Sequence, residues 1–155
     1  MRIRVGGEKV WNPGGGIGRI RRMEVSEKEE AILSRRVKAS LDSHRHRARA
    51  DHQELDYDWK SLRGMVRSAE RCPYCSVILT ASTFTLDHLI PTSRVANYSL
   101  SNLTVCCKIC NEAKGILTHE EFEDLLSTMA FWNPRAKIDI LARLRAGAAR
   151  CAGKR

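Results

Sequence analysis

Two Cys-x-x-Cys pairs, "CPYC" at Cys72–Cys75 and "CKIC" at Cys107–Cys110, constrain this chain more than any other feature. Each pair can grip one tetrahedral Zn²⁺ from a tight turn, with thiolates as its preferred soft ligands. Together they offer four sulfurs, which close the metal's shell and leave no position for water. Such a zinc is structural, stapling a core too small to hold itself together. Of the six cysteines, Cys106 neighbours Cys107, but only Cys107 stands three residues from Cys110; Cys151 reads as a bystander. The N-terminal "MRIRVGGEKVWNPGGG" lacks the apolar centre of a secretory signal, so metal ligation is expected ahead of disulfides. A redox dithiol at Cys72 and Cys75 is a rival use.

The 155 residues favour one compact domain with extensions. No apolar run approaches the roughly 18 residues that span a bilayer, so the expectation is a soluble, cytoplasmic protein with no membrane contact. The 27 Lys and Arg against 18 Asp and Glu give a net charge of +9. That balance favours polyanionic partners, because neutralising phosphates releases condensed counterions. Charge alone does not separate DNA from RNA.

Along the chain, residues 1–25 read as a flexible basic arm. "NPGGGIGRIRR" lacks the spacing of a phosphate-cradling loop. Ser26 and Glu29 form a capping box that predicts a helix from about Glu27, with Leu33, Val37, Leu41 and Ala48 on one apolar stripe. The "HRHRAR" run from His44 to Arg49 on that helix reads as a solvated or phosphate-facing edge, His44 and His46 being two apart and a poor metal pair. A second helix is predicted from about Asp58 to Ala69, with Trp59, Leu62, Val66 and Ala69 at helical spacing. Thr118 and Glu121 make another capping box, followed by Phe122, Leu125 and Met129. Asn133-Pro134 starts a terminal basic helix whose apolar face carries Ile138, Leu141 and Leu144.

Between the Cys pairs the pattern changes. "STFTLDHLIP" and "NLTVCC" read as strands, and "KICNEAKG" as a helix closing near Gly115. The order is strand, loop, strand, helix, joined at both ends by the zinc. Asp87 and His88 end the first strand, and Asn111 enters the first helical turn directly after a zinc ligand. The Asp87 carboxylate and the Asn111 amide oxygen can supply two hard ligands to a divalent cation. His88 beside it can take a proton from water near neutral pH. These are the parts of metal-assisted phosphodiester hydrolysis.

The pattern CxxC…DH..P…N…CxxCN..KG, from Cys72 to Gly115, resembles the HNH endonuclease family in its HNN variant. The resemblance implies an α+β protein: a small zinc-stapled ββα-metal core at 71–117, a helical extension at 26–70, and C-terminal helices with a basic tail at 118–155. It implies His88 as general base and Asn102 as the residue holding the loop that orients it. Asp87 and Asn111 would hold the catalytic Mg²⁺ or Mn²⁺, the four cysteines a structural Zn²⁺, and Arg94 and Lys114 would meet substrate. Many relatives carry a Gly pair after the "P.SR" segment, where this chain has Val95-Ala96. The expected activity is endonucleolytic, on DNA ahead of RNA, and nicking, since one such site cuts one strand. A double-strand break would need a homodimer or nearby nicks, and the helical extensions offer surface for a second copy or another partner. The alternative is a non-catalytic zinc-ribbon module binding nucleic acid or protein, which has no need of Asp87, His88 and Asn111 as a set.

Overall fold

The computed structural model describes residues 26–152; the arm assigned to residues 1–25 and the last residues of the basic tail lie outside them. Helix α1 (Glu27–Ala50) begins where the capping box requires, with the Ser26 hydroxyl accepting from the Glu29 amide and the Glu29 carboxylate accepting from Ser26. Its buried face is Leu33, Val37, Leu41, His44 and Ala48, one stripe at steps of three and four. Helix α2 (Trp59–Ser68) is capped by Asp58 and buries Leu62 and Val66 against α1. Arg63 ties the pair by bonding the Glu30 carboxylate.

The strands β1 (Phe84–His88) and β2 (Leu103–Cys107) pair antiparallel, from Phe84 opposite Cys107 to His88 opposite Leu103. A two-stranded ribbon is marginal alone. Here each face meets a helix. Successive side chains of a strand point to opposite faces, so Phe84 and His88 turn one way and Thr85 and Asp87 the other. On the first face α1 lies across the ribbon: the Arg36 guanidinium sits 4.7 Å over the Phe84 ring and bonds the Phe84 carbonyl, and His44 lies on His88. On the second face helix α3 (Lys108–Lys114) reaches Thr85 through Asn111 and Asp87 through Lys114.

Helix α3 ends at Gly115, whose φ of 56° is in the left-handed region that glycine enters without a Cβ clash. Helix α4 (His119–Thr128) starts from the Thr118–Glu121 capping box and buries Phe122. After a 3₁₀ turn at Met129–Phe131, helix α5 (Pro134–Ala152) starts with Asn133 accepting from the Arg135 amide at 2.8 Å. It returns along α3, where Arg145 bonds Glu112 twice, at 3.0 and 2.8 Å. No described helix is long and apolar enough to cross a membrane.

The architecture is α+β, as the element order implied. Two local readings change. The His44–Arg49 run is not a uniformly solvated edge: His44 and Ala48 are buried, because they continue the stripe set by Val37 and Leu41. Ile138, read as part of the inner face of the last helix, is 69% exposed, while Leu141 packs on the core. Leu41 is 2% exposed at the centre of the stripe. Leu41→Ala is expected to lower the unfolding free energy by about 2–5 kcal/mol, measured by urea denaturation, whereas His46→Ala on the exposed side changes it by less than about 0.5 kcal/mol.

Candidate metal centre and active site

Cys72 and Cys75 lie in a tight turn closed by bonds from the Cys72 amide to Val77 O at 2.9 Å and from the Ser76 amide to Cys72 O at 2.9 Å. Ser76 takes the left-handed φ of 59° that folds the turn back, a conformation costing a residue with a Cβ roughly 1 kcal/mol. Cys107 ends β2 and caps α3, its sulfur accepting from the Cys110 amide at 3.4 Å. The four sulfurs all lie within 4.8 Å of one another, and Cys75 and Cys107 are 3.7 Å apart. Zn–S bonds of about 2.3 Å in a tetrahedron put sulfurs about 3.8 Å apart, so the set could hold a metal ion such as zinc. Hydrogen bonds from the Cys110 thiol and from backbone amides pull Cys72 down to about 4, favouring its thiolate; the same bond, with burial, pushes Cys110 up. Cys106 points away, against Thr85, and burial pushes its thiol up to about 12.

At the far end of the ribbon stands His88, 8% exposed. Its ring centroid is 5.2 Å from His44 and 5.8 Å from Tyr98, the latter edge-on. Nε2 is sealed from solvent with no hydrogen-bond partner. Burial, then the charges of Arg47 and Lys114, hold the imidazole down at about 4. Asn102 is buried and bonds the loop after His88 at three points: Oδ1 accepts from the Ile90 amide at 2.9 Å, and Nδ2 donates to Ile90 O at 3.0 Å and to Asn97 O at 2.9 Å. Its own carbonyl takes the Leu89 amide.

On the other face, Asp87 is buried with its carboxylate 3.2 Å from the Lys114 ammonium and 3.4 Å from the Tyr74 hydroxyl. Burial raises its pKa against the pull of Lys114. Asn111 sits one helical turn before Lys114, donating Nδ2 to Thr85 Oγ1 at 3.3 Å and Leu86 O at 3.2 Å. Its oxygen makes none of the described hydrogen bonds. Lys114, read as a substrate ligand, is placed inside: it is 1% exposed and donates to His88 O at 2.8 Å as well as to Asp87. Arg94 lies on the surface in an ion pair with Glu121 at 2.8 Å.

Asp87, His88, Asn102 and Lys114 thus meet at the end of β1, Asn111 bonds the same strand further back at Thr85 and Leu86, and Arg94 lies on the following loop, paired with Glu121. Three contributors escaped the sequence reading. His44 donates or accepts at Nδ1 with the Tyr57 hydroxyl, 2.5 Å away, and burial holds it near 3. Its signal was present: it falls three residues after Leu41 and four before Ala48, on the apolar stripe. Tyr74 lies within the "CPYC" turn and also meets His119 Nδ1 at 3.1 Å. Tyr98 closes over His88 while donating to Asp51, a pairing that no local pattern announces.

Residues 72–127 match the model of the HNH endonuclease family. The match covers the Cys turn, the ribbon, α3 and nearly all of α4, and leaves α1, α2 and α5 outside. No curated protein sequence matches the chain closely enough to be counted as a relative.

The cluster makes a direct prediction. Metal analysis of the purified chain is expected to find one zinc per molecule, lost in Cys72→Ser and Cys110→Ser and kept in Cys106→Ser. Retention of full zinc by Cys72→Ser would show that this set is not the ligand shell.

Proposed function

We propose that the chain is a metal-dependent endonuclease that hydrolyses phosphodiester bonds, with DNA as substrate and a single-strand nick as product. One arrangement supports this most. Within the segment matching the HNH endonuclease family, His88 ends β1 beside a loop that Asn102 holds at three points, while Asn111 is set against the same strand. Residues 71–117 would carry the chemistry, and the helices of 26–70 and 118–155 would brace it.

Each side chain has a task in that reading. His88 is the general base. Nε2 is sealed in the interior, which leaves Nδ1 to take the proton from an attacking water. Asn102 keeps the following loop from collapsing onto that nitrogen. Asp87 and Asn111 would hold a Mg²⁺ or Mn²⁺: carboxylate and amide oxygens are hard donors, and Asn111 spends its nitrogen on Thr85 and Leu86, freeing its oxygen. When bound, such an ion supplies positive charge for the developing phosphorane and the leaving oxygen. Lys114 shares the Asp87 carboxylate and holds it at the strand end. Arg94 stands near enough to the loop to exchange Glu121 for a phosphate. The Cys set would carry a closed, structural zinc with no part in the chemistry.

The Lys114–Asp87 ion pair and the burial of His88 favour a second reading, a zinc-stapled module that binds nucleic acid without cutting it. One experiment separates the two. Supercoiled plasmid is incubated with wild type and His88→Ala in Mg²⁺, in Mn²⁺ and in EDTA. The endonuclease reading expects open circles with either ion, none with EDTA, and a rate at least about a hundredfold lower in the variant, whose zinc content is unchanged. Intact plasmid and intact RNA after incubation with zinc-loaded wild type in Mg²⁺ and Mn²⁺ would overturn it in favour of the binding module.

A further inference from the structure

Attack on a phosphodiester gathers negative charge on the non-bridging oxygens, and a fixed cation aimed there stabilises that state more than the ground state. The matched segment offers two basic side chains at its motif positions, and both are engaged. Lys114 is buried on Asp87 and His88 O, and Arg94 is paired with Glu121. Much of the remaining arginine surface is paired too: Arg45 with Asp42, Arg63 and Arg67 with Glu30, Arg143 with Asp139, Arg145 with Glu112.

Arg47 is exposed and, like Arg35, Arg49, Arg71 and Arg135, makes no ion pair among the described residues; its place on α1 distinguishes it. It stands three residues after His44, so the two side chains share one side of α1. His44 is the residue through which α1 meets the strand end: it is 3% exposed, lies 5.2 Å from the His88 ring and is anchored by the Tyr57 hydroxyl. The next turn of the same helix face therefore follows directly from the contact between α1 and the end of β1. Burial first, and then the positive charge of Arg47, hold the His44 and His88 imidazoles down, and the same charge works against the burial that raises the Tyr57 and Tyr98 hydroxyls. Two carboxylates lie nearby, Asp51 accepting from the Tyr98 hydroxyl and Asp56 from the Leu100 amide, and neither forms an ion pair with Arg47 among the described residues.

We propose that helix α1, which lies outside the segment matching the family, completes the active site by bringing the Arg47 guanidinium to the scissile phosphate. Its planar fork suits two non-bridging oxygens, which a lysine ammonium cannot grip as a pair. His44 is the fixed platform that sets its position. The proposal rests on the endonuclease reading, and makes the helical extension part of the chemistry rather than a brace alone.

Four proteins test it: wild type, Arg47→Ala, Arg47→Lys and Arg49→Ala. The last removes an exposed charge from the same helix, five residues from His44 and off its face. Nicking is measured at saturating enzyme in Mg²⁺, and affinity for a fluorescent DNA duplex is measured separately in EDTA. Arg47→Ala is expected to cut about a hundredfold more slowly once bound, with Arg47→Lys recovering part of the loss and Arg49→Ala within about threefold of wild type. Duplex affinity should fall by a similar few-fold factor in both alanine variants, as loss of one surface charge predicts. Wild-type nicking that Arg47→Ala leaves as fast as Arg49→Ala would overturn this proposal alone. Equal losses of affinity and rate in both variants would reduce Arg47 to a general backbone contact and overturn it as well. Absence of nicking by wild type would overturn the endonuclease reading and this inference with it.

Discussion

The gathering of four cysteine sulfurs is the constraint on which the other contacts depend. Cys72 and Cys75 come from a turn before the ribbon, Cys107 from the end of β2, and Cys110 from the first turn of α3. The ribbon has only two strands and α3 only two turns, so neither would persist alone. Joining them at one point fixes the angle at which α3 leaves β2. Asn111 follows the last of these cysteines directly, and its bonds to Thr85 and Leu86 then carry that angle across to β1. Asn111, and through it β1 with Asp87 and His88, inherits its position from a cluster to which none of the three contributes.

From there, the alternation of β1 does most of the sorting. Adjacent residues of a strand face opposite ways, and Asp87 and His88 are therefore delivered to different helices. The carboxylate goes to α3, where Lys114 and the Tyr74 hydroxyl receive it. The imidazole goes to α1, where His44 and Tyr98 enclose it. A carboxylate and an imidazole adjacent in sequence thus pack against different elements, although the charge of Lys114 reaches both. A one-residue slip of β1 would exchange the two and place a carboxylate against the apolar stripe of α1. The side chain of Phe84, buried on the α1 face under Arg36, guards against that slip.

Most of this frame was legible in the sequence, and for identifiable reasons. Capping boxes at Ser26 and Thr118, Asn133 before Pro134, and Gly115 after the short helix are local signals, and each marks an observed boundary. The Cys spacing announced the cluster, and the strand, loop, strand, helix order announced the elements that carry Asp87, His88, Asn102 and Asn111. What stayed hidden depended on partners distant in the chain. Lys114 reads as a solvated or substrate-facing charge because nothing near it in sequence shows that a buried carboxylate awaits it. Arg94 reads as a substrate contact because its partner Glu121 is 27 positions away. His44 was masked by its company: a histidine among arginines looks solvated, although its register on the stripe of Val37 and Leu41 gave the opposite answer.

The Lys114–Asp87 pair has the sharpest energetic consequence. Burying two charges costs several kcal/mol each in desolvation, which their attraction and further hydrogen bonds must offset. Here Lys114 gains His88 O, and Asp87 gains the Tyr74 hydroxyl and the His88 backbone amide. Removing the lysine alone would leave a carboxylate buried without a counter-charge, the most unfavourable of the alternatives. A divalent cation taken by Asp87 and Asn111 would add charge of the same sign as that ammonium. Lys114 would then either rely on His88 O, which it already bonds, or share the Asp87 carboxylate with the ion. The bond to the His88 carbonyl would leave the ammonium a partner if the carboxylate turned to such an ion, so Lys114 could stay buried against the backbone that carries the imidazole.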